Sequence, residues 1–237
     1  ARFAAEGTAP HWRFMLDYGE AIEWEDGVRG PQHFDASTMS DPVVRRADGS
    51  WLYMLPSCVD DIEMGITDVL RGEDHVSNTA VQVQMFTALG AAPPHFAHEA
   101  LLVGAEGKLS KRLGSTGIAE FREQGIEPMA VNSLLARIGT SQQVEARADM
   151  AALAEGFDLS TFGRAPARFD EAELLRLNAQ LVHAMEYADV ADRLPQGMDE
   201  AAWLTIRPNL ERLGDVREWW RLVTGPVAAP ALSAEDA

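Results

Sequence analysis

Residues 68–103 run DVLRGEDHVSNTAVQVQMFTALGAAPPHFAHEALLV. Asp68-Val69-Leu70-Arg71 reads as a short strand, and Gly72-Glu73-Asp74 reads as a turn. From His75 to Leu89 the apolar residues Val76, Ala80, Val83 and Phe86 return every three or four positions. That spacing gathers them on one face of a helix. Gly90 and Pro93-Pro94 stop the helix, and Phe96 to Val103 reads as a further strand. Strand, helix and strand in this order belong to an α/β core.

Working outward, Trp51-Leu52-Tyr53-Met54-Leu55 follows the turn signal Ala47-Asp48-Gly49-Ser50 and is expected to be a buried strand. Residues 1–49, rich in Gly, Asp and aromatics, predict short strands with tight turns. After Ser115 helical periodicity takes over, at Met129–Ile138, Ala148–Ala154, Glu171–Tyr187, Glu200–Leu213 and Val216–Leu222. Asp170 and Asp199 stand where N-caps belong. The expected fold class is therefore α/β to about residue 115 and all-α beyond it. Gly225-Pro226-Val227-Ala228-Ala229-Pro230 reads as a linker or fraying end.

Composition narrows the function. With 46% hydrophobic and 24% charged residues over 237 positions, the chain has the makings of a packed core and not of a disordered or fibrous protein. No apolar run approaches the roughly 18 residues of a membrane span, so no membrane partner is expected. Ala1-Arg2-Phe3-Ala4-Ala5-Glu6 shows no secretory pattern and no initiator Met, which points to a trimmed N-terminus. The single cysteine, Cys58, excludes an internal disulfide and a Cys-rich zinc cluster and fits a reducing cytosol. A net charge of −17 argues, on the average alone, for a plain enzyme over a nucleic-acid binder. A local basic surface would reverse that argument.

The sharpest local feature is Lys108-Leu109-Ser110-Lys111-Arg112, three cations in five positions with no acid among them. Two lysines on a glycine-flanked loop can reach one polyphosphate from two sides, and cations aimed at a leaving pyrophosphate stabilise its developing charge. The plain alternative is a solvated basic loop. The pentapeptide resembles the KMSKS signature of class I aminoacyl-tRNA synthetases, in a form close to their glutamate-specific branch. The resemblance extends to Asp41-Pro42-Val43-Val44-Arg45-Arg46, Val59-Asp60-Asp61, Met64 through His75, Asn78-Thr79 and Gly125-Ile126-Glu127-Pro128-Met129-Ala130. Together these span about residues 12–223 and resemble bacterial glutamyl-tRNA synthetases.

That resemblance implies ATP-dependent attachment of glutamate to tRNA through glutamyl-adenylate. It implies ATP with Mg2+ as substrate, no tightly bound cofactor and no zinc. The expected partner is tRNA(Glu), with tRNA(Gln) left open, and the expected state a cytoplasmic monomer. Lys111 and Lys108 take the catalytic role. Tyr53, Arg71 and Ser57 line the glutamate pocket, Ser57 standing where relatives often carry Asn. His75, Leu109, Ser110 and Lys111 meet ATP or the adenylate. The same resemblance makes residues 1–49 the remnant of an acceptor-end-binding insertion and 50–115 the second half of a Rossmann-type catalytic domain. Residues 116–237 become a helical stem-contact region and the start of a linker to an anticodon domain.

Each residue also has a plainer reading. Tyr53 can be a core tyrosine, Arg71 half of an ion pair with Glu73 or Asp74, and His75 a polar helix start. Asp60-Asp61 more naturally braces a turn than holds a metal. His95 and His98 suit core or surface use, and Trp219-Trp220 suits packing over base stacking. Arg45, Arg46, Arg122 and Arg137 are candidate tRNA-backbone contacts.

No His-x-Gly-His motif is present in the 237 residues. By resemblance, the first half of the nucleotide fold and an anticodon domain are missing, so an internal fragment of a protein about twice this size is expected. Such a fragment is expected to form no adenylate alone. The competing readings are a non-catalytic acceptor-stem-binding module or truncated paralogue, a small-molecule transferase that uses the basic loop for phosphates, and a relative that glutamylates a modified tRNA base.

Overall fold

A computed structural model describes residues 7, 9–104, 107–108 and 117–226. The chain divides into two units, Ala1–Leu102 with Asp158–Ala167, and Val103–Phe157 with Arg168–Ala237.

In the first unit, strands β1 (Trp12–Arg13) and β4 (Val43–Arg45) form a small antiparallel ribbon. Strands β2 (Ile22–Asp26) and β3 (Gly30–Phe34) form a hairpin with Ile22 opposite Phe34 and Asp26 opposite Gly30. Asp26 builds the turn: its Oδ1 accepts from the backbone N–H groups of Val28 at 3.1 Å and Arg29 at 3.0 Å. A Cβ at Gly27 would stand 3.2 Å from that of Ala97, so the hairpin end lies close against its neighbour strand.

Next come helix α1 (Met54–Met64), strand β5 (Asp68–Gly72), helix α2 (Val76–Ala88) and strand β6 (His95–Glu99). The sheet order is β3-β2-β6-β5, with β6 parallel to both neighbours. The β5-α2-β6 crossover is the α/β alternation read from residues 68–103. Strand β6 lies inside the sheet, and Phe96, Ala97 and His98 in succession are buried, as expected for a parallel strand covered on both faces. Cys58 of α1, Val81, Met85 and Phe86 of α2, and Phe96 share one apolar cluster.

Two expectations fail here. The segment 51–55 is not a buried strand: Trp51 makes only an isolated bridge to Arg45, and α1 begins at Met54. A five-residue apolar run fits either state, and Pro56 sits in the first helical turn, where proline is tolerated. The strand expected over Phe96–Val103 is two, β6 and then β7 (Leu102–Gly104).

In the second unit, β7 pairs antiparallel with β8 (Gly107–Lys108) through Val103 opposite Lys108. The helices are α3 (Ile118–Glu123), α4 (Pro128–Leu135), α5 (Met150–Glu155), α6 (Glu171–Ala184), α7 (Tyr187–Val190), α8 (Glu200–Ile206) and α9 (Val216–Thr224). Asp170 and Asp199 cap as expected, accepting from the N–H of Ala172 at 2.9 Å and of Ala202 at 2.8 Å. Helix α6 feeds two cores. Leu174, Leu177 and Leu181 pack with Phe121, Ile126 and Leu134, whereas Val182 joins Trp203, Ile206 and Val216. Trp220 packs on that second core, whereas Trp219 is exposed, so the packing alternative holds for only one of the Trp pair.

Several expected helices are shorter than their periodicity: the one expected to reach Ile138 ends at Leu135, and the one expected from Ala148 starts at Met150. Pro208 ends α8, and a 3₁₀ turn follows at Arg207–Asn209. Helix α6 stops at Met185 without a local breaker. Its carbonyl there is taken by two distant donors, Trp203 Nε1 at 3.1 Å and Arg207 Nη1 at 2.7 Å.

Candidate functional site

Arg71 projects from β5 and is gripped on three sides. Its Nε–H donates to His98 Nε2 at 3.3 Å. Nη2 donates to Gln82 Oε1 at 2.7 Å and to Thr79 Oγ1. Nη1 donates to the Tyr53 hydroxyl at 3.1 Å. The guanidinium also lies 5.3 Å over the Phe96 ring, a cation–π contact. Thr79 and Gln82 are three apart on α2, so one helix face presents both acceptors. The ion pair considered for Arg71 does not form, because Glu73 is held by Arg29 at 2.6 Å.

Each brace is itself braced. Gln82 Nε2 donates to Ser57 Oγ at 2.8 Å, and Ser57 in turn donates to the Met54 carbonyl at 3.0 Å. This fixes the Gln82 amide with its oxygen toward Arg71. Gln82 and Thr79 are buried. Tyr53, by contrast, is 54% exposed at the start of α1. Its ring meets that of His75 edge-on at 5.9 Å, and Asn78 Nδ2 lies 3.1 Å from His75 Nδ1. The structure therefore brings four predicted residues, Tyr53, Ser57, Arg71 and His75, to one place.

Behind Arg71 lies a pair that the sequence did not single out. His98 Nδ1 stands 2.5 Å from Asp26 Oδ2, both side chains being fully buried. Asp26 Oδ1 also accepts from the His98 backbone N–H at 3.0 Å. Burial alone would raise the Asp26 pKa. Hydrogen bonds from the His98 ring and from the amides of Arg29, His98 and Val28 outweigh it and hold the carboxyl below its ordinary range. Burial pushes the His98 ring down; Asp26 opposes that, and the Arg71 and Arg29 cations add to it. His98 is thus a neutral imidazole with its proton on Nδ1 and its lone pair toward Arg71. Cys58 sits in the same wall, its thiol pushed up to about 11, first by burial and then by Asp61.

Chemically, this arrangement can receive an anion. Nη1 keeps one further N–H beyond its bond to Tyr53. Since the Tyr53 oxygen accepts from Arg71, its own hydrogen is left to donate. One free guanidinium N–H beside one phenol O–H makes a pair of donors, which suits the two oxygens of a carboxylate.

Leu109, Ser110 and Lys111 lie outside the described residues. Lys108 is described only by its backbone, which pairs in β8. Arg45 braces the 46–49 turn through the Gly49 carbonyl at 3.1 Å and stacks 5.0 Å over Trp51. Arg137 donates to the Gly156 carbonyl at 2.7 Å. Among the described residues no group of three or more His, Cys, Asp or Glu side chains is arranged to hold a metal ion. No helix there is long and apolar enough to cross a membrane.

Comparison with known proteins bears on this geometry. The family of class I tRNA synthetases (E and Q), catalytic domain, matches residues 1–176. The chain belongs to that family. This class I synthetase chain is 70% identical over 232 residues to glutamate–tRNA ligase 1 of Novosphingobium aromaticivorans, covering 98% of the chain and 52% of the relative. It is 66% identical to glutamate–tRNA ligase 2 of Erythrobacter litoralis, covering 98% of the chain and 53% of that protein. A glutamate tRNA ligase from Elizabethkingia meningosepticum, solved with its amino acid, superposes with a TM-score of 0.80 at 26% identity, over 99% of this chain and 52% of that one. The synthetase chain spans about half the length of the curated relatives it matches.

Against that family the missed residues become intelligible. Asp26, Thr79, Gln82 and His98 are polar and buried, a combination that periodicity assigns to no face. In the sequence Thr79 stands out only as part of the Asn78-Thr79 motif. The available signal was the Asp26-Gly27 turn in a strand-rich segment, which marks a carboxylate tied to backbone amides.

Proposed function

We propose that a full-length protein carrying this chain is a glutamate–tRNA ligase. A carboxylate oxygen of glutamate attacks the α-phosphorus of ATP, the bond to the β-phosphate breaks and pyrophosphate leaves. A ribose hydroxyl at the tRNA 3′ end then attacks the adenylate carbonyl and AMP leaves. Arg71 and Tyr53 bind a carboxylate of glutamate, Ser57 sets the pocket wall through Gln82, and His75 borders the nucleotide. The motif assigns Lys111 and Lys108 to the departing pyrophosphate, with Leu109 and Ser110 beside ATP and Mg2+ entering with the nucleotide. tRNA(Glu) is the acceptor and the cytoplasm the setting. Residues 50–115 form the second half of the catalytic domain, and residues 116–237 carry the stem contacts.

The observation that supports this reading is the braced guanidinium beside an outward phenol hydroxyl, in a chain 70% identical to a protein named glutamate–tRNA ligase. Glutamate-dependent exchange of pyrophosphate into ATP tests it. Arg71→Ala should raise the KM for glutamate by about a hundredfold, since a charge-assisted hydrogen bond and its cation are lost. Lys111→Ala should abolish exchange and leave tRNA binding nearly intact. Exchange that proceeds at the parental KM in Arg71→Ala would reject the site. A parental protein that binds tRNA without any exchange would favour the non-catalytic module.

A further inference from the structure

The Arg71 guanidinium is backed by two fully buried groups, His98 and behind it Asp26, and this support has a direction. Asp26 accepts three backbone N–H bonds, from Val28, Arg29 and His98, which fix the carboxylate before any side chain reaches it. Its remaining oxygen faces His98 Nδ1 at 2.5 Å. An ionised carboxylate can only accept, so the imidazole proton resides on Nδ1. That leaves the Nε2 lone pair pointing at two donors, Arg71 Nε at 3.3 Å and Thr79 Oγ1 at 2.9 Å. With its proton on Nε2 instead, His98 would set a donor against the Arg71 N–H.

We propose that Asp26 and His98 are positioning residues for Arg71: the carboxylate selects the His98 tautomer, and the tautomer sets the angle at which the guanidinium meets a substrate carboxylate, an inference that rests on Arg71 being the glutamate-binding group. Neither residue touches substrate. Both act through the Nε edge, opposite the Nη1 edge that carries Tyr53. A single buried chain thus runs from a hairpin turn, through strand β6, to the recognition group on strand β5.

The decisive variant is Asp26→Asn. It keeps an oxygen for the backbone amides and nearly the same shape. Its amide now donates to Nδ1, which drives the imidazole proton to Nε2, against Arg71. In a full-length synthetase carrying this chain, the KM for glutamate in pyrophosphate exchange should rise about ten- to hundredfold, the usual scale when an orienting partner is lost. The KM for ATP and the kcat at saturating glutamate should change much less. A merely structural role would lower the melting temperature and the active fraction without singling out the glutamate KM. Should Asp26→Asn fail to fold, His98→Gln and His98→Ala serve in its place. Glutamine retains an acceptor for Arg71 and should bind glutamate at least about tenfold better than alanine.

Arg71→Ala run in parallel separates the two failures. If Arg71→Ala leaves the glutamate KM unchanged, the functional reading falls and this inference with it. If Arg71→Ala raises that KM but Asp26→Asn leaves it within about twofold at an unchanged melting temperature, the positioning role alone is overturned. Equal KM values for His98→Gln and His98→Ala overturn it as well.

Discussion

Replacing Gln82 by Glu inserts one negative charge and almost no volume into the wall that holds Arg71. Gln82 is 1% exposed, with Oε1 2.7 Å from Arg71 Nη2 and Nε2 2.8 Å from Ser57 Oγ. The new carboxylate would pair with the guanidinium on its inner edge. The Ser57 hydroxyl would have to turn and donate to it, giving up the Met54 carbonyl. Stability should therefore hold or rise slightly, because a half-buried cation gains a counter-ion while one modest hydrogen bond is exchanged.

Substrate binding should suffer instead. A glutamate carboxylate on the outer edge of the guanidinium would lie on the order of 8 Å from the new charge. At an effective dielectric of about 20, two like charges at that distance repel by about 2 kcal/mol. That corresponds to about a thirtyfold rise in the glutamate KM. The assay is glutamate-dependent pyrophosphate exchange by a full-length synthetase carrying this chain, with thermal melting alongside. A KM within about twofold of the parent, in a variant that melts at the parental temperature, would refute the assignment of the outer guanidinium edge to the substrate. A KM rise accompanied by a large loss of melting temperature would refute the claim that the wall accommodates the charge.

Other consequences can be measured separately. Trp203 is fully buried and its indole N–H serves the Met185 carbonyl, so Trp203→Ala should cost about 3–5 kcal/mol in denaturant unfolding of the second unit. The Cys58 thiol, buried and pushed up to about 11, should resist a disulfide-exchange reagent at neutral pH until denaturant opens the first unit, and rapid labelling of the native protein would contradict that burial. Acid should weaken the first unit in two steps. His98 titrates below its ordinary 6.5 among Asp26, Arg71 and Arg29, so from about pH 6.5 downward the unfolded chain takes up a proton that the folded chain refuses; the depressed Asp26 adds a further loss below the ordinary carboxylate range. His98→Gln should flatten the decline in urea midpoint between about pH 6.5 and 5, and an unaltered decline would assign it to other groups.

Much of the fold was legible because its signals are local. The strand at Asp68–Gly72, the helix after His75 and the caps at Asp170 and Asp199 all follow from turns, periodicity and capping chemistry. What failed had tertiary causes. The run 51–55 had too few residues to distinguish strand from helix, and α6 ends where Trp203 and Arg207 claim a carbonyl that no neighbour in sequence marks. At the site, Tyr53, Ser57, Arg71 and His75 came through resemblance, but their partners did not.

Helix α2 shows why. Of the four apolar positions that predicted its buried stripe, Ala80 and Phe86 are buried, whereas Val76 and Val83 are only half-buried. The buried face also takes in Thr79 and Gln82, residues that polarity assigns to solvent. Their desolvation is offset only because Arg71, Ser57 and His98 meet them. Arg71 in turn has its half-buried N–H donors satisfied by those groups, which accept its hydrogen bonds. The helix face and the strand guanidinium are therefore mutually required, across a gap of 8 and 11 residues that no single-residue pattern spans. A polar helix face that is buried against one arginine binds that arginine in a fixed pose, and a fixed pose is what a small carboxylate needs from its receptor.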